Sequence, residues 1–381
     1  MTFPILKLKE TETPFYYYDL DLLRRTLNEV KRHTENTPFK VHYAVKANAN
    51  ERILKEVLNA GLGVDCVSGG EVKQSIKAGF KENEIAFAGV GKTDKEIDLG
   101  LDNDIFCFNV ESVPELEILN ELAGRKGKKA NVAIRVNPNI DAHTHKYITT
   151  GLNENKFGVN LDLLDAVVAE AQDLGNINLI GLHFHIGSQL TDLHPYEMLC
   201  EKINTLQDEF ESKGVKFKII NVGGGLGIDY DNPTENPIPN FNAYFDIFKK
   251  NLKLRSGQEL HFELGRSIVA QCGSLITKVT YVKSGTNKKF IIVDAGMTDL
   301  IRPALYQAHH KIENITSEAT EKDKYDVVGP ICESSDSFGT DELLPLTKRG
   351  DLIALLSAGA YGEIMASQYN CRELPIAVYS E

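Results

Sequence analysis

The chain has 381 residues, with 42 Lys and Arg against 54 Asp and Glu, a formal net charge of -12, and 42% hydrophobic and 25% charged residues. That length exceeds what most single cores fill, so one large and one smaller domain are expected, with the balance of an ordinary soluble globular protein. The acidic excess excludes a broad phosphate-backbone surface while leaving room for a local anion pocket, so nucleic acid is not an expected partner.

At the start, MTFPILKLKETETP has no basic segment followed by a long apolar one, so it does not read as a secretory signal. No apolar run approaches the ~18 residues a membrane-spanning helix needs, so no membrane is expected. The six cysteines (66, 107, 200, 272, 332, 371) lack close pairing or metal-ligand spacing and read as reduced thiols in a cytoplasmic protein. FYYYD (15–19) is a candidate strand.

Short β-rich runs then alternate with helix-like stretches from about residue 40 to 265. The strands are VHYAV (41–45), GVDCVS (63–68), EIAFAG (84–89), DIFCFNV (104–110), NVAIRVN (131–137), LIGLHFHI (179–186), FKIINVG (217–223) and ELHFELG (259–265). Between them, segments such as ERILKEVLNAG (51–61) and LDLLDAVVAEAQDLG (161–175) repeat apolar residues at helical spacing and close on Gly. Eight such alternations are what a (β/α)8 barrel needs, with a doubly wound open sheet as the alternative. DNPTENPIPN (231–240) reads as a loop of the barrel region.

After residue 270 the pattern becomes β-rich, with strands in CGSLITKVTYVKSG (272–285), KKFIIVDAG (288–296), DLIALLSAGAYG (351–362) and ELPIAVYS (373–380). The expected domains are a barrel over residues 30–270 and a mostly β domain from 1–29 plus 271–381.

Chemistry in a parallel barrel gathers where strands end. Lys46 follows the first strand, where desolvation lowers an amine's pKa and suits it to a Schiff base, unless it only snorkels to solvent. His183 and His185 on strand six could bind a metal, stack on a flat ring, or be hydrogen-bonded core histidines. Gly223, Gly224, Gly225 and Gly227 form an anion-ready loop after strand seven, or a plain tight turn. Strand eight ends in ELGRS (263–267), and the loops after strands seven and eight commonly hold phosphate on barrels. Glu263 could keep a pyridine nitrogen protonated or pair with Arg266. A Schiff-base lysine, a stacking histidine, a phosphate cradle and this carboxylate together form the set that pyridoxal phosphate (PLP) requires. In the second domain, Arg302 could hold a substrate carboxylate. Cys332 lies near Glu333 and Asp336, acidic neighbours expected to keep its thiol protonated. Tyr361 is a phosphate ligand or a packed aromatic.

YAVKAN (43–48), GVDCVSGGE (63–71), KFG (156–158), HFHIGSQ (183–189), GGGLG (223–227), ELGRS (263–267), DAGMTDLIRPALYQAHH (294–310), GPICESSD (329–336) and GAYG (359–362) occur in this order. In that order they resemble the fold-type III PLP-dependent decarboxylases, and CESSDSF and DLIRPALY resemble the diaminopimelate branch. The resemblance implies an alanine-racemase-like PLP barrel with a second, mostly β C-terminal domain. It implies decarboxylation of meso-2,6-diaminopimelate to L-lysine and CO2, the last step of lysine biosynthesis, by a homodimer with shared active sites. Lys46 would carry PLP, His185 would stack on its ring, and Glu263 would face the ring nitrogen. Ser188, Gly225, Gly265 and Tyr361 would serve the phosphate, with Gly224 and Arg266 lining the same loops. Arg266, Arg302, Tyr306 and Tyr361 would engage the substrate, Glu333 its distal amine, and Cys332 of the partner subunit would reprotonate Cα. The competing readings are an ornithine, arginine or carboxynorspermidine decarboxylase, an alanine racemase, a metal-dependent barrel hydrolase using His183 and His185, and a non-catalytic PLP carrier. Two departures stand out: the family's Glu-Pro-Gly-Arg reads ELGR here, so Leu264 replaces a turn-fixing proline, and the chain is somewhat short for the branch.

Overall fold

Residues 3–140 and 156–380 are described by a computed structural model. They fall into two compact units, one from Leu27–Gly227 and Asn240–Gly265, the other from Met1–Thr26, Ile228–Pro239 and Arg266–Glu381.

The first unit holds eight parallel strands, Phe39–Ala44, Gly63–Cys66, Ile85–Phe87, Cys107–Val110, Ala130–Asn137, Ile177–Phe184, Ile219–Asn221 and Glu259–Leu264, here called strands one to eight. Strand eight pairs with strand one (Leu260↔Phe39 to Leu264↔Tyr43) and strand four with strand five, so the sheet closes on itself. Closure decides for the barrel over the open sheet. A two-residue strand, Val159–Asn160, adds to strand five.

Barrel strands are covered on both faces, which is why they read as nearly continuous apolar runs. On strand eight, Phe262 meets the rings of Tyr244, Phe245 and Phe248 on the helix Phe241–Asn251, with centroids 5.0–5.8 Å apart and steeply inclined. Helix Gly69–Ala78 starts where the Ser68 side chain accepts from Glu71 N–H and stops at Gly79, whose φ of 104° is open to glycine. Several strands are shorter than the apolar runs suggest. Strand four begins only at Cys107, because Asp104 adopts φ 48° and Phe106 N–H is drawn to Glu82 O and Ile85 O. Strand seven stops at Asn221 because Gly223 turns the chain at φ 67°. Leu264 is fully buried in register with Tyr43, so the ladder orders the backbone where the family's proline would have stiffened it.

The second unit is an eight-stranded, mostly antiparallel sheet built on the long strand Gly273–Ser284. Its first half pairs with Phe15–Tyr18 and Leu352–Leu355, and its second half pairs with Lys289–Val293. Ile376–Tyr379 lies parallel to Phe15–Tyr18. Leu8, Phe15, Tyr17, Ile276, Leu352, Ala354 and Leu356 form one core cluster. The stretch 231–240, read from sequence as a barrel loop, instead falls up to Pro239 in this unit, as part of Ile228–Pro239: Gln271 Nε2 donates to Asn236 O at 2.6 Å and Asp229 O at 3.5 Å. Strands Ile312–Asn314, Lys322–Val328 and Ser337–Pro345 carry no clean apolar alternation in sequence, since buried, half-buried and exposed positions do not alternate regularly along them.

Candidate active site

At the end of strand one the chain tightens into a single turn, Val45–Ala47, that carries Lys46. A cavity of about 420 Å³ opens there, lined among others by Lys46, Lys92, Arg135, Phe157, His185 and Glu263, within the size range of small-molecule sites. Its two lysines differ. Lys92 is buried and committed to Glu115 Oε1 at 2.6 Å and to the carbonyls of Asn109 and Gly89. Lys46 is 41% exposed, with Nζ 3.9 Å from Asp65 Oδ2 on strand two. Asp65 is fully buried, and neither carboxyl oxygen has a hydrogen-bond partner among the described residues. Burial and then the charge of Glu263 push its carboxyl well up, against the pull of Lys46.

Glu263, penultimate on strand eight, lies at the centre of a buried network. Oε1 accepts from Asn109 Nδ2 on strand four at 3.0 Å and from Asn221 Nδ2 on strand seven at 2.7 Å. Oε2 meets His183 Nε2 on strand six at 3.0 Å. Only a closed barrel brings these four strands together. Burial alone would raise the Glu263 carboxyl, but His183, Lys46 and His185 hold it well below the usual range, so it stays charged. A carboxylate has about four lone-pair sites and three are used here, which leaves one for a donor from the cavity.

His185 lies just past the end of strand six and accepts from Gly224 N–H at Nδ1, 3.2 Å away. Burial, then the positive charges of Arg135 and Lys46, drive its pKa well down, so the ring is neutral with its proton on Nε2. A flat neutral imidazole suits stacking. The two histidines read from sequence therefore serve different partners, and no group of three or more His, Cys, Asp or Glu among the described residues is arranged to hold a metal. The glycines after strand seven answer first to crowding: a Cβ on Gly224 would stand 2.1 Å from Glu263 O, and one on Gly225, at φ 107°, 2.6 Å from Tyr196 Oη. Gly223 N–H is given to Asn221 Oδ1 and Gly224 N–H to His185, while Gly225 N–H has no protein acceptor among the described residues. Beside them, Arg135 donates to Glu111 Oε1 at 2.7 Å and lies over the Phe157 ring at 4.6 Å, while Glu111 Oε2 takes Gly158 N–H at 2.8 Å. That pins the KFG segment.

Of the other expected site residues in the barrel unit, Ser188 is partly exposed after strand six, and Gly265 packs where a Cβ would meet Ala44 and Ala47 at about 3 Å. In the second unit, Arg266, Arg302, Tyr306 and Tyr361 come together with two residues not singled out from sequence, Tyr230 and His310. Arg266 lies over the Tyr361 ring at 5.0 Å and donates to Tyr230 Oη at 2.7 Å. Arg302, 6% exposed, opens the short helix Arg302–Tyr306. Cys332 and Glu333 are exposed, and Tyr369 Oη donates to Glu333 Oε1 at 2.8 Å. Asp336, grouped with Cys332 from sequence, is instead buried and spent on Ile331 and Met297 N–H.

The closed barrel, with a rim lysine, a neutral imidazole and a buried charged carboxylate holding one open acceptor site, defines a PLP-binding barrel enzyme; the residues present fit that cofactor. The profile of the family "Pyridoxal-dependent decarboxylase, pyridoxal binding domain" matches residues 20–270. A diaminopimelate decarboxylase of Bacteroides thetaiotaomicron is 60% identical over 374 residues, 98% of this chain and 97% of that protein. A crystal structure of Helicobacter pylori diaminopimelate decarboxylase complexed with L-lysine superposes with a TM-score of 0.93 at 41% identity, covering 99% of this chain and 94% of that one. A crystal structure of diaminopimelate decarboxylase from M. jannaschii in co-complex with L-lysine gives 0.90 at 36% identity, covering 99% of this chain and 89% of that one. The chain belongs to the diaminopimelate decarboxylase family of pyridoxal-dependent decarboxylases.

Proposed function

We propose that this chain is a PLP-dependent carboxy-lyase that converts meso-2,6-diaminopimelate to L-lysine and CO2. The observation that carries the reading is the charged Glu263, fixed by Asn109, Asn221 and His183 in the cavity that Lys46 enters, within a chain 60% identical to a diaminopimelate decarboxylase. When bound, the cofactor supplies an electron sink for the pair released as the Cα–carboxylate bond breaks.

The protein's own residues do the rest. Lys46 would hold the cofactor covalently through its amine. Glu263 would serve the cofactor's ring nitrogen with its negative charge, and His185 would serve as the residue that stacks on its ring. Ser188, Gly225, Gly265 and Tyr361 take the phosphate, with Gly224 and Arg266 lining the same loops. Arg266, Arg302, Tyr306 and Tyr361 bind substrate, with the arginines on its carboxylates. Glu333 reads the distal amine. The chain works as a homodimer in which the partner's Cys332 returns a proton to Cα. No described helix is long and apolar enough to cross a membrane, and the reaction is assigned to the cytoplasm.

A substrate panel on the PLP-loaded enzyme tests the reading. Diaminopimelate should release lysine, while ornithine, arginine and lysine should be poor substrates, because a site built for two charged ends is left with unpaired groups by a one-ended ligand. Ornithine turned over as fast as diaminopimelate would contradict it.

A further inference from the structure

Arg302 is nearly buried, yet the partners it has among the described residues are His310 and Tyr230, with no carboxylate. Buried guanidinium groups ordinarily sit against an acid, since a desolvated charge without a counterion is costly. Here the acceptors are neutral, and their geometry says why. His310 is fully buried, with Nδ1 2.9 Å from Leu356 O and Nε2 2.8 Å from Arg302 Nη1. A carbonyl oxygen only accepts, so Nδ1 carries the hydrogen and Nε2 offers its lone pair to the guanidinium. Protonation of Nε2 would set one N–H against another. Burial and then the charge of Arg302 lower the ring to about 3, in keeping with that tautomer.

Tyr230 completes the arrangement. Its hydroxyl oxygen accepts from Arg266 Nη1 at 2.7 Å, and the Arg302 guanidinium lies over its ring at 5.1 Å. The His310 ring stands edge-on to it, with centroids 5.4 Å apart at 81°. Tyr230 therefore spans both arginines from one side while His310 backs Arg302 from another. Burial would raise its phenol, but Arg266 and then Arg302 more than offset this and hold it below the ordinary value. The hydroxyl oxygen marks a place in the cluster where negative charge is stabilised.

We propose that Tyr230 and His310 are positioning residues that hold Arg302, beside Arg266, as a preformed receptor for a substrate carboxylate, with neutral partners that leave the Arg302 guanidinium charge to the ligand. An acid in either place would fix the arginines equally well but would cancel the charge that the substrate needs. The inference rests on the assignment of Arg266 and Arg302 to substrate carboxylates made above.

The test is steady-state kinetics of the PLP-loaded enzyme with meso-diaminopimelate. His310→Leu removes the acceptor, and KM should rise about tenfold or more while kcat stays within about threefold and the bound-PLP absorbance is unchanged, the pattern of lost ground-state binding. His310→Gln should bring KM back to within about threefold of the parent, because its amide oxygen accepts from Arg302 and its N–H can donate to Leu356 O. Tyr230→Phe keeps the ring, drops the hydroxyl and should raise KM in the same way, which covers a His310→Leu protein that does not fold. Wild-type KM in His310→Leu or in Tyr230→Phe, or a His310→Gln enzyme no better than His310→Leu, would overturn the proposal. Failure of the functional reading would show differently, as a parent enzyme that releases no lysine.

Discussion

Exchanging Glu263 for Gln keeps the side chain's shape and removes its charge. In the parent, two asparagine N–H groups reach Oε1 and the His183 Nε2–H reaches Oε2. The Gln oxygen can keep both asparagines, which leaves its NH2 against His183. His183 must then accept at Nε2 and move its hydrogen to Nδ1, a buried atom with no partner among the described residues. Stranding a buried donor costs about 1–3 kcal/mol, so the variant should be less stable by that amount in urea unfolding. Catalysis should suffer separately. A hydrogen bond to a charged group is worth about 1.5–3 kcal/mol, and losing it where charge develops corresponds to about 10- to 150-fold in kcat. The assay is lysine release at saturating substrate, with PLP occupancy read by absorbance so that lost cofactor is not counted as lost chemistry. A fully loaded Glu263→Gln enzyme with kcat within about twofold of the parent would refute the role given to this carboxylate.

Gly224→Ala would place a methyl group 2.1 Å from Glu263 O, so an overpacking penalty of at least about 1–3 kcal/mol and a loss of kcat are expected; a urea midpoint equal to the parent's would contradict the packing argument. Glu111→Gln leaves the buried Arg135 without its counter-charge and should cost about 3–5 kcal/mol in the same assay, and a cost below about 1 kcal/mol would contradict it. Burial and neighbouring charge lower His42 to about 4 and His310 to about 3, so between those values and 6.5 the unfolded chain binds protons that the folded chain does not. Their contribution to stability is therefore complete above about pH 6.5 and is lost at about 1.4 kcal/mol per pH unit per histidine as pH falls below it; a urea midpoint as high at pH 5.5 as at pH 7.5 would count against this. If the partner's Cys332 completes each site, mixing inactive Lys46→Ala and Cys332→Ala enzymes should restore activity through hybrid dimers, and a mixture that stays inactive after subunit exchange would exclude shared sites.

The barrel was legible because its strands are covered on both faces and stand out as eight apolar runs, with Lys46 and Glu263 at two of their ends. The network that fixes Glu263 was not. Asn109 and Asn221 each interrupt an apolar strand, in CFNV and IINV, and only closure of the sheet shows both amides converging on one carboxylate. A lone polar residue in an otherwise apolar barrel strand is the signal that could have found them, since a buried amide needs a partner. His183 and His185 looked like one pair by spacing, but the strand ends between them, which sends one to Glu263 and the other to the glycine loop. Tyr230 immediately precedes the Pro/Asn-rich stretch 231–240, which has no periodicity, and its place beside Arg266 and Arg302 comes from how residues 228–239 fold into the second unit.

The most direct test of the central claim is an absorbance spectrum of the PLP-loaded enzyme before and after meso-diaminopimelate, with lysine assayed in the same tube and a Lys46→Ala control. The account predicts a PLP band near the visible edge that shifts on addition as lysine accumulates, and a control in which borohydride fixes no PLP to the chain. A parent enzyme that binds PLP yet forms no lysine, or a Lys46→Ala protein that still holds PLP covalently and turns over, would contradict it.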